Sequence, residues 1–105
     1  MRPLLEHLEA INNLLPALHN GFFVESYDGN VDRLVILGSG DITYHRDLLI
    51  ACTFPVEVRF VPRFAADAIR VSKHKSGNSL VDFLDDGSVE LFIRGGFLEF
   101  ECEHI

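Results

Sequence analysis

The sequence predicts an α+β fold in which an N-terminal amphipathic helix packs on a largely antiparallel, meander-like β-sheet of about six to eight strands. Apolar residues recur at helical spacing near the N-terminus. From residue 22 onward, short runs of β-forming residues alternate with turn residues. The connections between these runs are too short for the crossover helices of parallel strands, so we expect antiparallel pairing.

Length and composition indicate one domain over residues 1–105, with a helical segment over residues 1–20 and a mainly β part over residues 22–105. Hydrophobic residues make up 48% of the chain, which is enough for a core without disulfides or a structural metal. Cys52 and Cys102 have no metal-binding spacing, so we expect reduced thiols.

The N-terminus lacks the pattern of a signal peptide, because Glu6 and His7 interrupt the apolar run that such a peptide needs. We therefore expect a cytoplasmic protein. The formal net charge is −7, which disfavours attraction to nucleic acid or to an anionic membrane. A basic protein partner is electrostatically easier to bind.

The predicted helix covers residues 3–15, with Pro3 suited to its first turn. Pro16 is expected to end or kink the helix, and Asn20 and Gly21 supply a stop signal. One face of this helix is apolar and carries Leu4, Leu5, Leu8, Ile11, Leu14 and Leu15.

The β part begins with predicted strands over residues 22–27 and 31–37. Residues 43–54 alternate as one strand, or as two strands broken near Arg46. Residues 56–60 also alternate, with Arg59 on the polar side. Residues 64–74 are compatible with a helix or a strand, and their period-two pattern slightly favours a strand.

The C-terminal strands are predicted to form a hairpin, in which residues 89–94 pair with residues 97–102. Gly95 and Gly96 permit the positive φ angles of a two-residue turn. This register places Ile93 opposite Leu98, and the alternation leaves one face uniformly apolar.

The other face of this hairpin is the predicted interaction surface. Glutamates oppose each other there, so either a basic strand lies nearby, the Arg59 strand or the Arg33 strand, or both glutamates point into water and tolerate each other. Exposed aromatic residues rimmed by charge are typical of interfaces, although a covering helix is an equal alternative. The surface comprises Glu90, Phe92, Phe97, Glu99 and Glu101.

Residues 45–48 read His-Arg-Asp-Leu, as at the start of a kinase catalytic loop, but Cys52 stands where that loop needs a magnesium-binding Asn. Alternation instead predicts that Cys52 is buried and chemically quiet. An alternative prediction is a small enzyme or ligand-binding domain with a pocket formed by Tyr44, His45 and Asp47. The histidine spacing does not favour a metal site, and no cofactor is expected.

The function predicted from these residues is that of a small, acidic, non-enzymatic interaction protein, which binds a protein partner or itself. A specific version is an inhibitor of a basic nuclease or toxin, by analogy with bacterial immunity proteins. Only composition supports that version, and the small enzyme or ligand-binding domain remains the rival.

Overall fold

The computed structural model describes residues 1–30, 32–40 and 47–103. These residues contain one α-helix, two 3-10 turns and ten strands. In chain order the elements are β1 (Arg2–Pro3), a 3-10 turn (Leu5–His7), α1 (Leu8–Leu14), a 3-10 turn (Leu15–Ala17), β2 (Gly21–Asp28), β3 (Arg33–Ser39), β4 (Leu48–Thr53), β5 (Glu57–Arg59), β6 (Arg63–Phe64), β7 (Ala68–Lys73), β8 (Ser79–Asp85), β9 (Ser88–Arg94) and β10 (Phe97–Glu101).

The strands form two antiparallel sheets that share one core. The six-stranded sheet has the order β1-β10-β4-β3-β2-β6, and the four-stranded sheet has the order β5-β9-β8-β7. The predicted α+β fold is confirmed. The ten strands of the described residues exceed the six to eight predicted, because two-residue strands such as β1 and β6 are too short to leave a periodic signal.

The N-terminal segment packs its apolar face into the core, where Leu4, Ile11 and Leu15 are buried. The expected position of Pro3 in the first helical turn is wrong. Pro3 lies in β1 opposite Glu99, and the Leu4 N–H donates to the carbonyl of Leu98 at 3.0 Å. A proline is tolerated in such a short edge strand because its missing N–H is not needed there.

The centre of the core is an aromatic cluster that joins the two sheets. The rings of Phe22 in β2 and Phe64 in β6 are stacked, with centroids 5.4 Å apart. Phe83 in β8 meets both edge-on, at 5.9 and 5.7 Å. Offset and edge-on arrangements are favourable for aromatic pairs, so this cluster holds the sheets together.

The segment over residues 64–74 is extended, as its period-two pattern favoured, since it contributes β6 and β7. α1 covers the outer edge of β7 through one side chain. The Asn12 carboxamide accepts a hydrogen bond from the Ile69 N–H at 2.7 Å and donates one to the Ile69 carbonyl at 3.0 Å. Asn12 therefore substitutes for a neighbouring strand at this point.

The predicted hairpin between residues 89–94 and 97–102 is wrong, although Gly95 and Gly96 do have positive φ, at 73° and 84°. β9 pairs with β8 and β5, whereas β10 pairs with β4 and β1. The two glycines carry the chain from one sheet to the other. Because the sheets face each other, the apolar residues of both strands still reach the same core.

Candidate functional site

The five residues predicted as one interaction surface lie on two different sheets. Glu90 and Phe92 belong to β9 in the four-stranded sheet. Phe97, Glu99 and Glu101 belong to β10 in the six-stranded sheet. The crossing at Gly95 and Gly96 separates them, so the expected opposition of Glu90 and Glu101 does not occur: the ladder partner of Glu101 is Leu49. The interaction role of these residues stays a prediction.

The expected basic neighbour of β9 is present, because β5 lies beside it with Arg59 opposite Phe92. Alternation places both side chains on the face that points away from the core. Arg94, also on this face, approaches the carboxylate of Glu57 at 3.8 Å. Charge on this part of β9 is therefore balanced within the chain.

An arginine–aspartate pair fixes the centre of the same outer face. Asp82 in β8 is the ladder partner of both Phe92 and Arg70. Its carboxylate accepts a hydrogen bond from the Arg70 guanidinium at 2.8 Å, and Asp82 is only 5% exposed. A buried carboxylate needs such a partner, so this pair is structural rather than available for a ligand.

A groove of about 270 Å³ opens beside β9. It forms because β5 stops pairing at Arg59, whereas β9 continues along β8 to Ser88. The chain after Arg59 leaves toward β6 and becomes the opposite wall. The groove is lined by Arg59, Phe60, Val61, Val89, Glu90, Leu91 and Phe92.

Three apolar residues of the groove are unusually exposed for their size. Phe60, Val61 and Val89 are between 40% and 46% exposed. Phe60 also lies near Tyr27 of β2, with ring centroids 6.5 Å apart. Sequence reasoning missed these walls because alternation assigned Phe60 to a strand over residues 56–60, whereas β5 ends at Arg59. The one available signal was Pro62, which limits the preceding residue to extended backbone and interrupts strand pairing.

β9 has an extra residue at the groove. Phe83 pairs with Leu91 and Leu84 pairs with Val89, so Glu90 forms a β-bulge between these pairs. Bulges bend a strand and reorient side chains, and they are frequent at sheet edges and functional sites. Here the bulge adjoins Phe92, the last β9 residue that pairs with β5.

The Ser88 end of the groove is acidic. β8 and β9 are joined through Asp86 and Gly87, whose φ angles are 51° and 80°. The Asp86 N–H donates to the Asp67 carboxylate at 3.1 Å, which brings two aspartates together. Asp85 and Glu90 lie on the adjoining strands. Of these carboxylates only Glu90 lines the groove; Asp85 and Asp86 adjoin Ser88, Asp67 directly precedes β7 on the far side of β8, and Arg59 lies at the other end.

A second apolar surface surrounds the crossing between the sheets. Phe54, Val56 and Phe97 are 57% to 71% exposed. Phe97 is the ladder partner of Thr53, which directly precedes Phe54. Phe54 has a φ of 56°, and its N–H donates to the carbonyl of Asp32 at 2.7 Å. An exposed aromatic residue with positive φ is uncommon in folded proteins.

The alternative pocket receives no support from the residues that can be placed. Tyr44 and His45 lie outside the described residues. Asp47 accepts a hydrogen bond from the Gly40 N–H at 2.6 Å, which is a loop contact. Over residues 1–30, 32–40 and 47–103, no group of three or more histidine, cysteine or acidic side chains is arranged to hold a metal ion. The pocket stays a prediction.

Comparison with protein-family models, with curated proteins and with solved structures yields no match for this chain. In the described part of the chain, none of the helices has the length and apolarity needed to cross a membrane. Function is therefore inferred from the geometry and charge of the site itself.

Proposed function

We propose that this chain is a non-enzymatic interaction protein that binds a basic protein partner through the groove beside β9. The observation that carries the proposal is the coincidence of exposed apolar walls and the Glu90 carboxylate along one incompletely paired strand. Glu90 and Phe92, which the sequence predicted as interaction residues, both line this groove.

The apolar walls would supply most of the affinity. Complete burial of a Phe or Val side chain contributes roughly 1.5–3 kcal/mol, and Phe60, Val61 and Val89 are each already half-buried, so each contributes a fraction of that. Contact with the partner would also exclude water from these three side chains. Aromatic residues surrounded by weaker contacts are typical centres of binding energy.

Charge selects the partner. The chain has a formal net charge of −7, Glu90 lines the groove, and Asp85 and Asp86 adjoin Ser88 at its end. A basic partner is attracted over a distance and binds faster, whereas a second copy brings the same charges and is repelled. An inhibitor of a basic enzyme or toxin is one protein of this kind. A cytoplasmic location is part of the proposal and is supported by the two free, buried cysteines.

Phe97, Glu99 and Glu101 keep their predicted interaction role on a separate surface of the six-stranded sheet. Phe97 is the most exposed large hydrophobic residue of the described chain. Since this surface and the groove lie on different sheets, substitutions distinguish them.

The test is native purification at low salt, followed by mass analysis of the complex. We expect a basic protein in stoichiometric amount, which is lost in the double variant Phe60→Ser, Val89→Ser. The matched control is Phe54→Ser, Val56→Ser, which removes one Phe and one Val from the second surface. Loss of the partner only in the control, or a self-associated species without another protein, would contradict the proposal.

A further inference from the structure

Several sheet edges of this molecule are only partly closed, and the partly paired edge of β9 is the one that borders the groove. In the six-stranded sheet the edge strands β1 and β6 have two residues each, which is too short to pair stably with another chain, and β2 over residues 26–28 has ladder pairs with β3 and none with β6. In the four-stranded sheet, Asn12 occupies the backbone groups of Ile69 on the β7 edge. In β9, residues 88–91 have ladder pairs with β8 and none with β5.

We propose that residues 88–91 of β9 accept an extended, basic segment of the partner as an added strand. The inference rests on the proposed function and specifies its binding mode. The segment would occupy the position that β5 would fill if it continued beyond Arg59, which is where the groove lies. Strand addition supplies main-chain hydrogen bonds for affinity and alternating side-chain contacts for specificity.

The length of the free edge limits the contact to a short segment. Four residues of β-strand span about 13 Å. Main-chain pairing over this distance is brief, so side chains must contribute. Phe60 and Val61 form an apolar wall opposite β9, and the β-bulge at Glu90 bends the strand beside that wall.

Charge complementarity defines the occupant. Glu90 lies on the free edge and lines the groove, Asp86 lies in the turn that precedes Ser88, Asp85 lies on β8 opposite Ser88, and Arg59 lies where β5 ends. A segment with alternating basic and apolar residues satisfies the carboxylates and the apolar wall together. A second copy pairing through its own β9 would bring two Glu90 side chains close to each other, and like charges on adjacent strands are unfavourable.

The probe is a blocked nine-residue peptide of alternating lysine and valine, compared with the same peptide methylated on every backbone amide. Amide chemical shifts of the full chain report the binding site during titration. We expect shifts at residues 88–91, with binding about tenfold or more weaker for the methylated peptide because it cannot donate main-chain hydrogen bonds.

Two charge-reversal variants distinguish binding of the peptide in the groove from non-specific attraction of a basic peptide to an acidic protein. Glu90→Lys is expected to weaken binding of the unmodified peptide about fivefold to tenfold, whereas Glu101→Lys, on the other sheet, changes it less than about twofold. Both variants lower the net negative charge equally. Equal effects of the two would overturn the proposal.

The inference and the proposed function fail in different ways. Equal binding of both peptides, shifts centred on Phe54 and Phe97, or no binding of either peptide would overturn strand addition. A dimer in sedimentation that Glu90→Lys dissociates would identify a second copy as the occupant and would also overturn it. A partner that is retained through Phe60 and Val89 in native purification would still support the proposed function.

Discussion

The thiol of Cys52 is buried in the core, with 1% of its surface exposed, as the alternation of its strand predicted. Burial, with the Asp32 carboxylate as a smaller cause, raises the pKa of Cys52 from 9.0 to about 11. The thiolate is the reactive form, so we expect very slow reaction with a disulfide reagent at pH 8 and rapid reaction after denaturation. A native rate near that of a free thiol would contradict the burial.

The raised pKa of Cys52 also predicts a dependence of stability on pH. The thiol of Cys52 ionises at a lower pH in the unfolded chain than in the folded one. The free energy of unfolding is therefore unaffected by this thiol below pH 9 and decreases as the pH rises toward 11. The loss reaches roughly 2–3 kcal/mol above that range. The denaturant concentration at the unfolding midpoint should fall less steeply between pH 9 and 11 in Cys52→Ala than in the unsubstituted protein. The pKa of Tyr27 is also raised, by the hydrogen bond that its hydroxyl donates to Asp32, so Tyr27 can contribute to the same alkaline loss of stability. Repeating the measurement in Tyr27→Phe separates the two contributions.

Phe54 has backbone strain that is relieved by a change of side chain alone. Its φ is 56°, and its ring is largely exposed. Replacement by Asn, which tolerates this conformation, should raise the unfolding free energy by about 1 kcal/mol. Thermal denaturation measures the gain. The control is Val56→Asn, because Val56 is also exposed and apolar but does not have a positive φ. An equal gain in both variants would mean that lost apolar exposure is the cause.

At the level of elements, the crossing between the sheets depends on more than a permissive φ. A Cβ at Gly96 would lie 2.8 Å from the Cys52 sulfur and 3.0 Å from the Thr53 carbonyl oxygen. Gly87 has a similar φ of 80° with nothing within 4 Å. Gly87→Ala should therefore cost about 1–2 kcal/mol, from conformation alone. Gly96→Ala should cost at least about 1 kcal/mol more in denaturant unfolding, because the neighbours must move.

The edge of β7 provides a second prediction at this level. Asn12→Ala leaves the N–H and carbonyl of Ile69 without their partner in a partly buried place. We expect a loss of about 1–3 kcal/mol in unfolding free energy. The adjacent Asn13 is exposed, so Asn13→Ala should change stability by no more than about 0.5 kcal/mol. Equal effects would show that helix propensity, and not the edge contact, is responsible.

The wrong hairpin shows which information local sequence lacks. Gly95 and Gly96 predicted two positive φ values correctly, and alternation predicted the burial of Leu91, Ile93, Leu98 and Phe100 correctly, whereas Val89, expected on the same apolar face, is 46% exposed beyond the β-bulge. Neither pattern distinguishes pairing within one sheet from two sheets that face a common core. That choice depends on the close approach of Cys52 and Val56 to the glycines, which are distant in sequence.

At the level of the whole molecule, the site was predictable only in part. Alternation placed Glu90 and Phe92 together on one face of their strand, and β5, one of the two basic strands expected nearby, lies beside them. The groove arises because β5 leaves one sheet and β6 joins the other. This is a property of topology, and it could not be read from the residues that line the groove. Phe97 was grouped with them only through the incorrect hairpin.

The shared core predicts that both sheets unfold as one cooperative unit. Phe83 projects from the four-stranded sheet onto Phe22 and Phe64 of the other sheet, whereas Phe92 lies on the outer face. Phe83→Leu should lower the unfolding free energy by about 1–2 kcal/mol, and Phe92→Leu by about 0.5 kcal/mol or less.

Amide hydrogen exchange measures whether that loss is shared. In Phe83→Leu, protection should fall equally in β8 and in β3, because opening either sheet exposes the same aromatic cluster. A fall confined to β7, β8 and β9 would mean that the four-stranded sheet opens on its own. In that case the free edge of β9 would belong to a separately unfolding unit, and partner binding there would stabilise that sheet alone.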